Sequence, residues 1–134
     1  MTLLARAEIW ENQMHAYLIP AVISLALIVW HLVLGGPEVV RPLLASRDFR
    51  PDVVHTLYLC WHLVTIVLGA SVVAYVGAAF DPAFRPYALA ATVVIGATAV
   101  WSFVLVVWKR QKHREMPQWI AFLVLTLSGI WALS

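Results

Sequence analysis

Four stretches of mostly apolar residues dominate this sequence, and each is long enough to cross a lipid bilayer as an α-helix. A helix needs about 20 such residues to span a hydrocarbon core of about 30 Å. The stretches cover residues 15–34, 54–79, 86–108 and 117–133. The third has no polar stripe, which every helix of a soluble bundle would need. The pattern predicts an all-α integral membrane protein, a four-helix bundle in a single domain of residues 1–134.

The amino-acid composition points the same way. Hydrophobic residues make up 63% of the chain and charged residues 12%, against about 45–50% and about 25% in soluble domains. A soluble protein of this size could not bury so much apolar surface. The net charge of +2 is too small to indicate a nucleic-acid-binding protein. Cys60 is the only cysteine, so an intramolecular disulfide is excluded.

The basic residues predict how the chain is oriented. Seven of them lie in two connections, between the first and second stretches and between the third and fourth: Arg41, Arg47, Arg50, Lys109, Arg110, Lys112 and Arg114. Only Arg6 and Arg85 lie on the other side. Lysine and arginine are enriched in cytoplasmic loops. We therefore expect an up-down-up-down bundle in a bacterial inner (cytoplasmic) membrane, with both termini on the periplasmic side.

The connection over residues 37–52 is too polar to span a membrane. It is predicted to form an interfacial segment, in which a short amphipathic helix lies at the membrane surface. Its apolar side would carry Val39, Val40, Leu43 and Leu44. An ordered loop over the bundle is the alternative.

Small residues recur every fourth position in the second and third stretches, as Ala70, Ala74, Ala78 and as Ala88, Thr92, Gly96. Small side chains let two helix backbones approach closely in lipid. The spacing predicts helix packing between these two stretches in an antiparallel hairpin. A face for dimerisation is the alternative.

A repeated tetrapeptide is the feature most suggestive of function. Trp30-His31-Leu32-Val33 ends the first stretch, and Trp61-His62-Leu63-Val64 lies early in the second. Because chain direction reverses between them, both histidines are expected roughly 6–12 Å from the cytoplasmic boundary. His55 lies two turns before His62 on the same helix face. We expect His31 and His62 to point toward one another inside the bundle.

The rest of the predicted site is drawn from residues at a similar depth. His55 would lie at its cytoplasmic mouth, and its lining would comprise Trp30, Trp61, Trp101, Glu38 and Arg41. An ionisable residue within a span usually faces protein or water. Imidazole is a common ligand of haem and of transition metals, so His31, His62 and His55 are the candidate cofactor-binding or metal-binding residues. The alternatives are a structural hydrogen bond, proton transfer, or binding of a polar small molecule.

The sequence contains no motif for several common activities. No acidic residue lies within any stretch, unlike in the small multidrug exporters, and no nucleophile, zinc-protease or phosphate-binding pattern is present. No catalytic residue is assigned. The function favoured is that of a binding or accessory protein whose histidine/tryptophan pocket holds haem or a metal. The alternatives are a small oligomeric transporter or channel, or a structural subunit. The expected partners are the bilayer and a homo-oligomer or larger membrane complex, without nucleic acid.

Three short strings carry a resemblance to a family: His31-x-x-Leu34-Gly35, Arg41-Pro42-Leu43-Leu44 and Trp61-His62-Leu63-x-Thr65. This half of the chain resembles a set of small four-span bacterial inner-membrane proteins to which no activity is assigned. The resemblance implies a bacterial inner-membrane setting. It also implies that His31, the Arg41-Pro42 turn and His62 belong to one site.

Overall fold

The structure, a computed structural model, describes the backbone of residues 3–134 and the side chains of residues 14–134. Residues 1 and 2 of the predicted domain, and the Arg6 side chain used for the orientation, lie outside this part. The helices are α1 (Leu3–Val33), α2 (Arg41–Ala45), α3 (Pro51–Phe80), α4 (Arg85–Trp108) and α5 (Gln118–Leu133). A π-helical turn, Gly36–Val40, precedes α2, and a 3₁₀ turn, Pro82–Phe84, precedes α4. The described residues contain no strand, so the all-α prediction is confirmed.

Three segments are long and apolar enough to cross a membrane: Met14–Ala45, Pro51–Phe80 and Pro82–Trp108. The fourth long helix, α5, has 16 residues, which correspond to about 24 Å at the rise of an α-helix. All four apolar stretches of the sequence therefore form helices. Three of them reach the length that the hydrocarbon core requires.

Proline marks the start of each of the three long helices that follow α1, and one proline lies inside α1. Pro51, Pro86 and Pro117 stand at or beside the start of α3, α4 and α5, where a missing backbone N–H removes no hydrogen bond. Because α1 begins at Leu3, Pro20 lies in the helix interior, where its side chain is fully buried.

The predicted interfacial segment continues from α1 as a helix. Its backbone passes through the π-helical turn into α2, which contacts α3. Val40 and Leu43 are half-buried, whereas Val39 and Leu44 are 45% and 48% exposed. The segment thus packs one side on the bundle and leaves part of its apolar surface open.

The four long helices form a ring of contacts. α1 contacts α3 and α5, and α4 contacts the same two helices. The most extensive contacts join α1 to α3 and α4 to α5. Near the end of α1, His31 contacts Trp61 of α3.

The small residues of α3 and α4 are mostly buried. Ala74, Ala78, Ala88 and Thr92 lie in the core, whereas Ala70 is exposed. Gly96 lies against α5 rather than α3, because a Cβ added to it would come within 3.2 Å of Thr126 Cγ2. The small-residue positions therefore serve two interfaces of α4.

A buried hydrogen bond joins α3 to α4, and a residue of α5 packs against it. Tyr75 Oη lies 2.8 Å from Thr92 Oγ1, and Thr92 Oγ1 donates its own proton to the Ala88 carbonyl at 2.8 Å. The Tyr75 hydroxyl is therefore the donor to Thr92. Gly129 of α5 packs directly on both oxygens, since a Cβ there would lie 2.6 Å from each. Three helices thus meet at one polar contact in an otherwise apolar core.

Candidate polar site between α1 and α3

Trp61 of α3 contacts the His31 side chain of α1 in two ways. The two rings stack with centroids 3.7 Å apart and planes inclined by 16°. His31 Nε2 also lies 3.2 Å from the Trp61 backbone carbonyl oxygen. Because a carbonyl oxygen only accepts, Nε2 carries the proton and donates it. His31 therefore contacts both the side chain and the backbone of the same residue.

Gly35 completes the surface that receives the Trp61 indole. It lies one turn beyond His31, and a Cβ added there would overlap the tip of the Trp61 ring. Gly35 has φ of −68° and ψ of −28°, which any residue adopts. Its glycine is thus required by the close approach of Trp61. The adjacent Gly36 has no such neighbour within 4 Å.

His62 has a different partner from His31. Its half-buried ring meets Tyr58, one turn earlier on α3, edge to face with centroids 4.6 Å apart. Each of the two histidine rings contacts its own partner, Trp61 for His31 and Tyr58 for His62. We call the set His31, Tyr58, Trp61 and His62 the imidazole cluster.

The remaining predicted site residues lie outside the imidazole cluster. His55, Glu38 and Arg41 are exposed. Trp30 and Trp101, expected to line a pocket, are 61% and 59% exposed. The structure therefore brings together three of the predicted residues, His31, Trp61 and His62, and leaves the others on the surface.

The imidazole cluster does not have the composition of a metal site. In the part of the chain with described side chains, no group of three or more histidine, cysteine, aspartate or glutamate residues could hold a metal ion. His31 Nε2 donates to the Trp61 carbonyl, which leaves Nδ1 as the acceptor nitrogen of this ring. The arrangement offers imidazole and phenol groups that can donate and accept hydrogen bonds.

The Trp61 carbonyl also affects Thr65, which follows it by one turn. Serine and threonine in helices often donate to the carbonyl four residues earlier. Here the Trp61 carbonyl accepts from His31, and the buried Thr65 hydroxyl has no partner among the described residues.

A cavity of about 130 Å³ lies farther along α3, between Leu63, Leu68, Ile95 and Phe122. Its almost entirely apolar lining separates the imidazole cluster from the Tyr75–Thr92 contact.

Two residues of this region were not singled out by the sequence reasoning, Tyr58 and the Trp61-covered Gly35. Tyr58 precedes His62 by four residues, a spacing that puts two side chains on one helix face. Gly35 was named only within the string His31-x-x-Leu34-Gly35, without a role of its own.

No protein-family model, curated protein sequence or solved structure matches this chain.

Proposed function

We propose that this chain is a multi-pass protein of a bacterial inner membrane, with four helices in up-down-up-down order and both termini in the periplasm. Three helices of sufficient length support the proposal. The 16-residue α5 would cross with local thinning of the bilayer, which costs fractions of a kcal/mol per Å of mismatch, as an order of magnitude. The basic residues before α3 and α5 support a cytoplasmic location of these two connections.

Reporter fusions test this orientation. A reporter that is active only in the cytoplasm should give no signal when joined after Ser134 and a strong signal when inserted after Lys112. A periplasm-specific reporter at the same two positions should give the reverse result. A strong cytoplasmic signal from the fusion after Ser134 would overturn the orientation and would move the imidazole cluster to the outer half of the membrane.

We further propose that the chain acts as a binding or accessory protein through the imidazole cluster. The observation that carries this proposal is that His31 and His62 make different kinds of contact. His31 is held by Trp61 through a stack and a hydrogen bond, which supports a structural role. His62 is half-buried and its ring meets that of Tyr58 edge to face, which supports a role in contacting a ligand.

The chemistry of the proposed ligand follows from these groups. Neutral imidazole and phenol both donate and accept hydrogen bonds, and a hydrogen bond between helices in a membrane contributes about 0.6 kcal/mol on average. A polar group of a small molecule or of a neighbouring membrane subunit would satisfy them. A metal ion held by several protein ligands is a weaker candidate, since no group of three or more histidine, cysteine, aspartate or glutamate residues within residues 14–134 could hold one.

Native mass spectrometry of protein extracted in mild detergent tests the role of His62. We expect a bound species that is retained by the wild type and by His55→Phe but lost from His62→Phe. Phenylalanine keeps the ring contact with Tyr58 and removes the hydrogen-bonding groups. His55→Phe is the matched control, because His55 lies on the same helix face and outside the imidazole cluster.

An absorption spectrum and elemental analysis of the same preparations identify the ligand class. We expect neither a Soret band nor a stoichiometric metal. A Soret band lost on substitution of either His31 or His62 would establish haem binding instead. Equal retention of every bound species by wild type and His62→Phe would remove the imidazole cluster as a binding site.

A further inference from the structure

A groove runs along the surface between α4 and α5. Its volume is about 450 Å³, and its walls include Leu89, Val93, Gly96, Thr126, Ile130 and Leu133. Leu89, Val93 and Ile130 are each more than half exposed. From Leu89 to Gly96 the groove extends about 10 Å along α4. Its walls are therefore suited to a narrow apolar chain lying parallel to the helices.

A positive charge lies beside one end of the groove, since Arg85 contacts Leu133 of the groove wall. Arg85 lies one turn before Leu89, and its Nη2 donates to the Leu133 carbonyl at 2.6 Å. The ion pairs within residues 14–134 join Arg50 to Asp52 and Lys112 to Glu115, so none involves Arg85. The side chain of Asp81 instead accepts from the Ala83 amide. Most of the five N–H donors of this guanidinium remain for another acceptor.

Aromatic residues mark the same end of the helix pair. Tyr87 and Trp131 are 63% and 55% exposed, and each lies within one turn of Arg85 or Leu133 along its helix. Exposed tyrosine and tryptophan are enriched at the level of lipid headgroups. The charged end of the groove therefore coincides with the expected membrane interface, and its apolar part extends toward the bilayer centre.

We propose that this groove binds one phospholipid molecule, with an acyl chain between α4 and α5 and the phosphate on Arg85. The arrangement of apolar and charged residues carries the proposal. The groove is apolar and a cation lies at its interfacial end, which matches an amphipathic molecule with an anionic headgroup. Guanidinium–phosphate hydrogen bonds are among the strong, charge-assisted ones. The helix of a second copy would fill the apolar part but would leave Arg85 without an anion.

Two variants separate the acyl chain from the phosphate. Val93→Trp should abolish saturable binding of phosphatidylglycerol to delipidated protein in detergent, since the indole would fill the groove. Val100→Trp is its matched control, because Val100 lies two turns farther on the same helix face, is 65% exposed and is not part of the groove. Arg85→Gln should weaken binding about fivefold, which corresponds to about 1 kcal/mol for one basic residue at the headgroup level. Arg114→Gln should leave the affinity unchanged.

Two further probes identify the source of the phosphate. Diacylglycerol with the same acyl chains and inorganic phosphate alone should each bind at least about fivefold more weakly than phosphatidylglycerol, the fold-change expected for Arg85. Equal affinity for diacylglycerol, or unchanged lipid binding by Val93→Trp, would overturn the proposal. It would also be overturned if the wild type were a dimer that Val93→Trp dissociates, because the groove would then bind a second copy of the chain.

Discussion

Replacing Gly129 with alanine should lower the free energy of unfolding by about 1–3 kcal/mol, the usual cost of overpacking a core. The added Cβ would lie 2.6 Å from both Thr92 Oγ1 and Tyr75 Oη. Neither atom can move away easily, since Tyr75 and Thr92 are 0% and 3% exposed. Reversible unfolding in mixed detergent micelles, followed by circular dichroism, measures the change.

Gly69→Ala is the matched control for this substitution. Gly69 also lies within a long helix, but a Cβ there would meet nothing within 4 Å. Because alanine favours the helix by about 0.8–1.0 kcal/mol over glycine, Gly69→Ala should be neutral or stabilising. Equal effects at the two positions would contradict the packing described for α3, α4 and α5.

A second substitution tests whether the hydroxyl of Tyr75 is the obstacle. Tyr75→Phe removes one of the two oxygens that the alanine Cβ would meet. It also breaks the hydrogen bond to Thr92. In combination with Gly129→Ala, it should cost less than the sum of the two single changes. Interaction energies between contacting residues amount to roughly 0.5–3 kcal/mol.

Replacing Gly35 with alanine should also destabilise the protein by about 1–3 kcal/mol, again through overpacking. The new methyl group would overlap the tip of the Trp61 indole. Trp61 would have to leave its stack on His31, and aromatic pairs of this kind contribute about 0.5–1.5 kcal/mol beyond their buried area. Thermal unfolding in detergent would report the loss, and the NMR signal of the Trp61 indole would shift.

Gly36→Ala provides the control at the neighbouring position. The two glycines are adjacent in sequence, and neither has a positive φ. Only Gly35 faces Trp61, since a Cβ on Gly36 would meet nothing within 4 Å. Gly36→Ala should therefore leave both the unfolding temperature and the Trp61 signal unchanged. A similar loss from both substitutions would mean that the backbone of the turn, and not the indole, requires glycine.

The Gly129→Ala and Gly35→Ala variants also distinguish a loss of stability from a loss of the proposed ligand binding. Gly129 lies in α5 beside the Tyr75–Thr92 contact, away from the residues of the imidazole cluster. Gly35 supports that cluster directly through Trp61. A Gly129→Ala variant that remains folded should thus retain the species bound at His62, whereas Gly35→Ala should weaken its retention.

The sequence by itself determined which stretches form the long helices, but not the length of α1, which begins at Leu3. Apolar length along the chain is a one-dimensional property, so residues 15–34, 54–79, 86–108 and 117–133 were recognisable without any tertiary contact. Residue counts alone predicted that His31 and His62 lie at a similar level, and in the structure His31 contacts Trp61, the residue before His62.

The direction in which each side chain faces was decided by the tertiary structure. In water a polar stripe identifies the outer face of a helix, but in lipid the outside is as apolar as the inside. Trp30 and Trp101 therefore gave no sign that they would be exposed. For the same reason Gly96 could be assigned to a packing face but not to its partner, which proved to be Thr126 of α5.

The partners of the histidines also depended on packing. The doubled Trp-His-Leu-Val string suggested that His31 and His62 would meet, because it placed them at one depth on consecutive helices. In the structure the larger Trp61 ring reaches α1 and takes His31 as its partner. Only the space above Gly35 allows this approach. Residue spacing determines the height of a side chain in a bundle, whereas the volumes of the neighbouring side chains determine what it touches.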